Sequence, residues 1–146
     1  LSLGTYPDIS LKTARQRRDE ARALVAAGID PSVVRKAEQF QQDQTLEGVA
    51  CEWVSNRSTS WAKSHSSAVI RRLERWVFPW LGRRPIGEVS AAELLAMLRR
   101  IEERGRLETA HRVRGYCSQI LRYAIATQRA ERDVAADLRG ALQPAI

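Results

Sequence analysis

Cysteine is scarce in this sequence of 146 residues: only Cys51 and Cys117 occur. Two are too few for a disulfide scaffold and lie far from any CxxC spacing. That usage fits a reducing compartment better than a secreted one. Glycine (8) and proline (5) are sparse as well, and long stretches without turn signals favour helices. No apolar run approaches the roughly 18 residues that a membrane span needs. Residues 1–5, Leu-Ser-Leu-Gly-Thr, offer neither a basic n-region nor an apolar h-region, which predicts no secretory signal and a cytoplasmic location. HExxH, GxSxG and a Gly-rich phosphate loop are all missing. His65 and His111 stand 46 positions apart on different predicted helices, and a His pair without carboxylate or thiolate companions is a poor metal site. Glu102 and Glu103 read as solvated groups at a helix end. The sequence therefore predicts no metal, no cofactor and no active site.

What is present is arginine. The chain carries 24 Lys+Arg against 17 Asp+Glu, a net charge of +7, and lysine supplies only Lys12, Lys36 and Lys63. Residues 1–44 hold 7 basic and 6 acidic residues, residues 45–146 hold 17 and 11. Two stretches are concentrated. Residues 57–84 contain seven bases and one acid, Glu74; residues 104–122 contain five bases and one acid, Glu108. If the fold brings them together they make one positive surface, the footprint of a polyanion partner. A solvated Arg-rich surface is the plain alternative.

Helical periodicity runs through the chain. Ser10 is a candidate N-cap for a first helix with an apolar stripe of Leu11, Ala14, Ala21, Leu24 and Val25, closed by Gly28 as a left-handed cap. Pro31 suits the first position of a second, more polar helix, and residues 39–44 read as a linker or a solvated helix end. Thr45 caps a helix with the apolar face Leu46, Val49, Ala50, Trp53 and Val54, followed by a loop over 55–62. The next helix spans about Ser64–Val77. It buries Val69, Ile70, Leu73, Trp76 and Val77 and turns Ser67, Ala68, Arg71, Arg72 and Arg75 outward. Pro79 and Gly82 end it. Ser90 and Glu93 form a capping box for a helix that buries Leu94, Leu95, Leu98 and Ile101 and stops near Gly105. The longest helix runs from about Glu108 to Gln128. Ala110, Val113, Cys117, Ile120, Leu121, Ala124 and Ile125 face inward, and His111, Arg112, Ser118, Gln119 and Arg122 outward. A short helix near Val134–Leu138 closes the chain. Trp53 and Trp76 fit core positions, while Trp61 and Trp80 fall in loops. The expected class is all-α, a bundle of about five helices with a helical N-terminal extension.

Several phrases, read in order, resemble one family. Leu3-Gly4-Thr5-Tyr6-Pro7-Asp8-Ile9-Ser10-Leu11-Lys12-Thr13-Ala14-Arg15 with Ala26-Ala27-Gly28-Ile29-Asp30-Pro31 looks like the end of the arm-binding domain of prophage integrases. Leu73-Glu74-Arg75-Trp76-Val77-Phe78-Pro79-Trp80-Leu81-Gly82-Arg83-Arg84-Pro85-Ile86 resembles the centre of their core-binding domain. So do Glu108–Gly115 and Arg122–Ala126, and Ala136–Leu142 is similar to the family's run into the catalytic domain. The chain thus resembles the tyrosine recombinases of the bacterial and phage integrase branch.

The resemblance implies a SAM-like core-binding domain over 45–142, the end of an arm-binding domain plus linker over 1–44, and the start of a linker to a catalytic domain over 143–146. It implies double-stranded DNA, the attachment core site, as partner, other integrase protomers in the parent complex, and a bacterial cytoplasm with nucleoid association when bound. The family's Arg/Lys/His/Arg set and nucleophilic tyrosine have no match here. Tyr116 and Tyr123 read as structural or surface residues. The family clamps duplex DNA with the second and fourth helices of this bundle, and the two basic stretches lie on the same two helices. The expected interface is Lys63, Ser64, His65, Ser67, Arg71, Arg72 and Arg75 on one, with Thr109, His111, Arg112 and Arg114 on the other. Two rival readings are a helix-turn-helix regulator and a protein-interaction bundle. The first needs a turn of about 3–4 residues, whereas Phe78–Glu88 is an eleven-residue connection. The second predicts no salt-sensitive DNA binding.

Overall fold

The computed structural model describes residues 11–144 apart from Ala27 and Ile29; the side chains of residues 11–14, Ala21 and Leu24 are also outside the description. Ser10, the candidate first cap, and most of the predicted stripe of the first helix therefore lie outside the described residues. Among those described, all regular structure is helical, and a single isolated bridge joins Thr45 to Pro85. The chain divides into two compact units between Phe40 and Gln41.

In the first unit, α1 (Leu11–Ala26) ends where Gly28 takes a positive φ of 79° and its amide donates to the Val25 carbonyl at 3.0 Å. That left-handed geometry carries little strain only for a residue without Cβ. Helix α2 (Pro31–Asp43), whose residues 41–43 belong to the second unit, starts on proline as expected, and Asp30 Oδ1 accepts from the Ser32 amide at 2.9 Å. Residues 39–43 are the exposed end of this helix rather than an irregular linker.

The second unit holds α3 (Leu46–Arg57), α4 (Lys63–Trp76), the four-residue α5 (Phe78–Leu81), α6 (Ala91–Glu103) and α7 (Leu107–Ala126). The Thr45 hydroxyl caps α3 by accepting from the Gly48 amide at 3.1 Å. Gly48 is required there, since a Cβ would meet the Gln42 carbonyl oxygen at 2.2 Å. The first amides of α3 also have distant partners: Leu46 donates to the Arg84 carbonyl and Glu47 to the Gly82 carbonyl, both at 2.9 Å, while Ile86 donates back to Gln44 at 2.8 Å. The orphan donors of a helix start thus lace the connection after α4 onto α3. That connection is not a plain loop. Pro79 sits within the first turn of α5, where its missing N–H costs no bond. The Ser90–Glu93 capping box forms as predicted.

Helix α7 is the axis of the bundle and packs on α3, α4 and α6. Trp53, Leu73, Met97, Ile101, Val113 and Ile120 are among the fully buried side chains. Ile70, Trp76, Leu95 and Ile125, expected inside, are only half-buried, and Met97 takes a place that the sequence pattern left unassigned. Ser118 is a clear correction. Expected on the outer face of α7, it is buried, because the chain after α7 folds back over it and supplies Asp133 as its hydrogen-bond acceptor. The last short element is a 3-10 turn over Ala136–Leu138, not a helix of five residues. Beyond it Leu142 is buried.

Candidate nucleic-acid interface

The two basic stretches meet. Helices α4 and α7 pack side by side, and Arg72 Nη1 on α4 donates to Tyr116 Oη on α7 at 3.0 Å. Tyr116 is buried. Its ring lies 6.5 Å from that of Trp53, which meets Trp61 edge-on at 5.2 Å, and Trp61 in turn meets His65 edge-on at 4.7 Å. Edge-to-face packing of this kind is favourable for aromatic quadrupoles. A chain of rings therefore links α7 through α3 to the start of α4.

The remaining α4 candidates are displayed outward. Lys63, Ser64 and Ser67 are exposed in its first turns, and Arg71 is exposed one turn further on. The Arg75 guanidinium sits 4.8 Å from the centre of the Trp76 ring, a cation–π contact. Arg72 is half-buried and is the one that reaches across to α7. Since α4 has no acidic residue in its first turn, its amides and dipole add positive potential to the same end.

On α7 the candidates separate. Arg112 is exposed and pairs with Glu108 one turn earlier, Nη2 to Oε1 at 2.5 Å and Nε to the same oxygen at 3.2 Å. That hydrogen bond and charge, chiefly, hold the Arg112 guanidinium above its ordinary pKa, with a smaller contribution from Tyr116. Thr109 is half-buried. His111 Nε2 lies 2.6 Å from the Gln143 carbonyl oxygen, and Arg114 Nη1 donates to the Ala135 carbonyl at 3.4 Å. These two are tied to the segment after α7. Helical periodicity cannot show those ties, because the acceptors are backbone carbonyls 32 and 21 residues away. Tyr116 joins the candidates through its bond to Arg72. Its position four residues after Arg112 puts both on one face of α7, a signal present in the sequence.

Elsewhere the unit is braced by ion pairs and stacks. Arg84 reaches Glu93 at 3.0 Å, and the Arg100 guanidinium lies 3.8 Å over the exposed Trp80 ring. Among the described residues no three His, Cys, Asp or Glu side chains gather as a metal site, and no helix is long and apolar enough to cross a membrane.

Comparison with known proteins supplies two domain matches. Residues 46–141 match the phage integrase central domain and residues 1–38 the arm DNA-binding domain. The chain is 38% identical to the protein IntB of Escherichia coli K12 over 97% of its own length and 36% of that protein's. It is 34% identical to the integrase of Enterobacteria phage P4 over 97% of its length and 33% of the relative's. An NMR structure of a fragment of the E. coli integrase IntS superposes with a TM-score of 0.62 at 28% identity, covering 68% of this chain and 84% of that fragment. The chain spans about a third of the length of the curated relatives it matches.

Proposed function

The chain belongs to the phage integrase family, and we propose that its helical bundle, residues 45–142, grips the core crossover site of duplex DNA through α4 and α7 during site-specific recombination. Residues 1–44 belong on this reading to an arm-binding domain. The observation that supports the grip best is the Arg72–Tyr116 hydrogen bond, because it makes one basic face of two helices that are separate in sequence. An α-helix fits the major groove, and arginine serves there as phosphate neutraliser or guanine reader. Most of these contacts position the protein rather than specify sequence.

The 146 residues do not cut DNA by themselves on this reading. Tyr116 is buried and committed to Arg72. The Tyr123 phenol is held above its ordinary pKa, first by burial and then by the Glu52 carboxylate, against the opposing pull of Arg129. Neither is an activated nucleophile. The whole recombinase, with further protomers, would supply that step.

Anisotropy titrations on duplex DNA test the grip. With about 5–8 phosphate contacts, log affinity falls against log salt with a slope of roughly −4 to −7. A slope near zero overturns the reading in favour of a protein-interaction bundle. A covalent adduct on a nicked substrate, abolished by Tyr116→Phe or Tyr123→Phe, would overturn the non-catalytic assignment.

A further inference from the structure

We propose that Arg72, Tyr116 and Arg112 form one seat for a single DNA phosphate, in which a guanidinium from each basic helix shares the phosphate, Tyr116 fixes their spacing, and Glu108 holds the place while DNA is away. The inference rests on the DNA-binding reading above and goes beyond it by assigning two arginines from distant parts of the sequence to one phosphodiester.

The geometry begins with Tyr116. Its ring is buried beside Trp53, so the hydroxyl is a fixed point at the junction of α4 and α7. Arg72 commits one N–H donor to that oxygen at 3.0 Å. A guanidinium has five N–H donors in a planar fork, so this bond orients the group without using it up. Arg112 lies one turn before Tyr116 on α7, and residues at that spacing are neighbours on one helix face. The smaller contribution of Tyr116 to the raised Arg112 pKa agrees with that proximity. One fork is thus bonded to the phenol from α4, and the other starts on the same face of α7 one turn away.

Two guanidinium groups that converge on one phenol repel less when an anion lies between them. A phosphodiester has two non-bridging oxygens, and arginine forks match such oxygens in charge and geometry. In the unbound protein Arg112 pairs with Glu108, which accepts two of its donors on a single oxygen. The Glu108 side chain is 72% exposed. Such a pair is screened by water and contributes little to stability, so a phosphate can displace it. Glu108, Arg112 and Tyr116 follow one another at four-residue steps along α7, which puts the displaceable acid and the fixed phenol on either side of the same guanidinium.

The test is a double-mutant cycle on the intact 146-residue chain, with Arg72→Gln, Arg112→Gln and the pair of substitutions, titrated on a duplex over a range of salt. If one phosphate is shared, each single variant still neutralises it and keeps nearly the wild-type slope. The double variant then loses about 0.9 from the slope, one phosphate's worth, and the two losses of affinity are not additive. If each single variant already loses about 0.9 and the double about twice that, the arginines serve two phosphates and the seat is overturned. Tyr116→Phe keeps the ring and both charges. It is expected to bind roughly 3- to 10-fold more weakly, since Arg72 is no longer held in place before DNA arrives, with the slope unchanged and a small drop in melting temperature from the lost intramolecular hydrogen bond. Wild-type affinity in that variant overturns the role of the phenol, and a lower melting temperature with unchanged affinity shows a structural role alone. Glu108→Gln is expected to tighten binding, and no gain overturns its part as placeholder. Salt-independent binding by the wild type overturns the DNA reading itself, and the seat with it.

Discussion

Ser118 donates its hydroxyl hydrogen to Asp133 Oδ2, and the other oxygen of that carboxylate accepts from the amides of Ala135 at 3.0 Å and Ala136 at 3.2 Å. One buried hydroxyl on α7 thus seats the acid that starts the closing 3-10 turn. Arg122 lies 3.9 Å from the same carboxylate. From this anchor the chain runs back over the bundle and buries Leu138 and Leu142. It then places Gln143 between two helices, its amide donating to Glu102 at 2.7 Å and its carbonyl facing His111.

Ser118→Ala is expected to destabilise the protein by about 1–3 kcal/mol, since it removes one partner of a buried, charge-assisted hydrogen bond. Urea denaturation measures this. The same substitution at exposed Gln119 should stay within about 0.5 kcal/mol, and equal effects at both positions would count against the tie.

Arg129 closes the other side. Its side chain is 11% exposed; it pairs with Glu52, donates to the Asp43 carbonyl at 2.9 Å and lies 5.9 Å over the Tyr123 ring. Arg129→Met keeps the apolar stem and removes the donors. A loss of about 1–3 kcal/mol follows from hydrogen bonds to a charged group, read as a lower urea midpoint. The Tyr123 phenol should also titrate higher, because the opposing cation is gone.

Cys117 is buried, and burial pushes its thiol from 9.0 up to about 12. Below about pH 9 the thiol is neutral in the folded and the unfolded chain and contributes no pH dependence. Above that pH the unfolded chain gives up the proton first while the native state keeps it. Stability therefore falls as pH rises from about 9 towards about 12, by roughly 1.4 kcal/mol per unit at most. Urea midpoints across that range should fall less steeply in Cys117→Ala. Native-state thiol labelling should modify exposed Cys51 and spare Cys117.

Truncation separates two boundaries. A chain starting at Gln41 keeps three carbonyls that the bundle uses: Gln42 accepts from the Thr45 hydroxyl, Asp43 from Arg129 and Gln44 from the Ile86 amide. A chain starting at Thr45 lacks them. Both are expected to fold and bind duplex DNA, the shorter one less stable by about 1–3 kcal/mol. If the longer truncated chain is unfolded, the first 40 residues belong to the core.

Much of the bundle was legible because its signals are local. The Thr45 cap, the Ser90–Glu93 box, the apolar face of α3 and, apart from half-buried Ile125, that of α7 each depend on residues within a few positions of one another, and the structure holds them. Ser118 and His111 were expected on the outer face of α7, because helical periodicity assigns one buried face per helix and cannot see a later segment covering a second one.

The candidate interface divides in the same way. Which helices are basic, and which arginines share a helix, follows from the order of residues alone, because charge and helical repeat are both properties of the linear chain. That Arg72 meets Tyr116, and that α4 and α7 thereby present one face, depends on how the helices pack. That packing is set by the burial of Trp53, Leu73 and Val113 in one core. Burial is a cooperative property of side chains far apart in sequence, so only the tertiary structure could decide it.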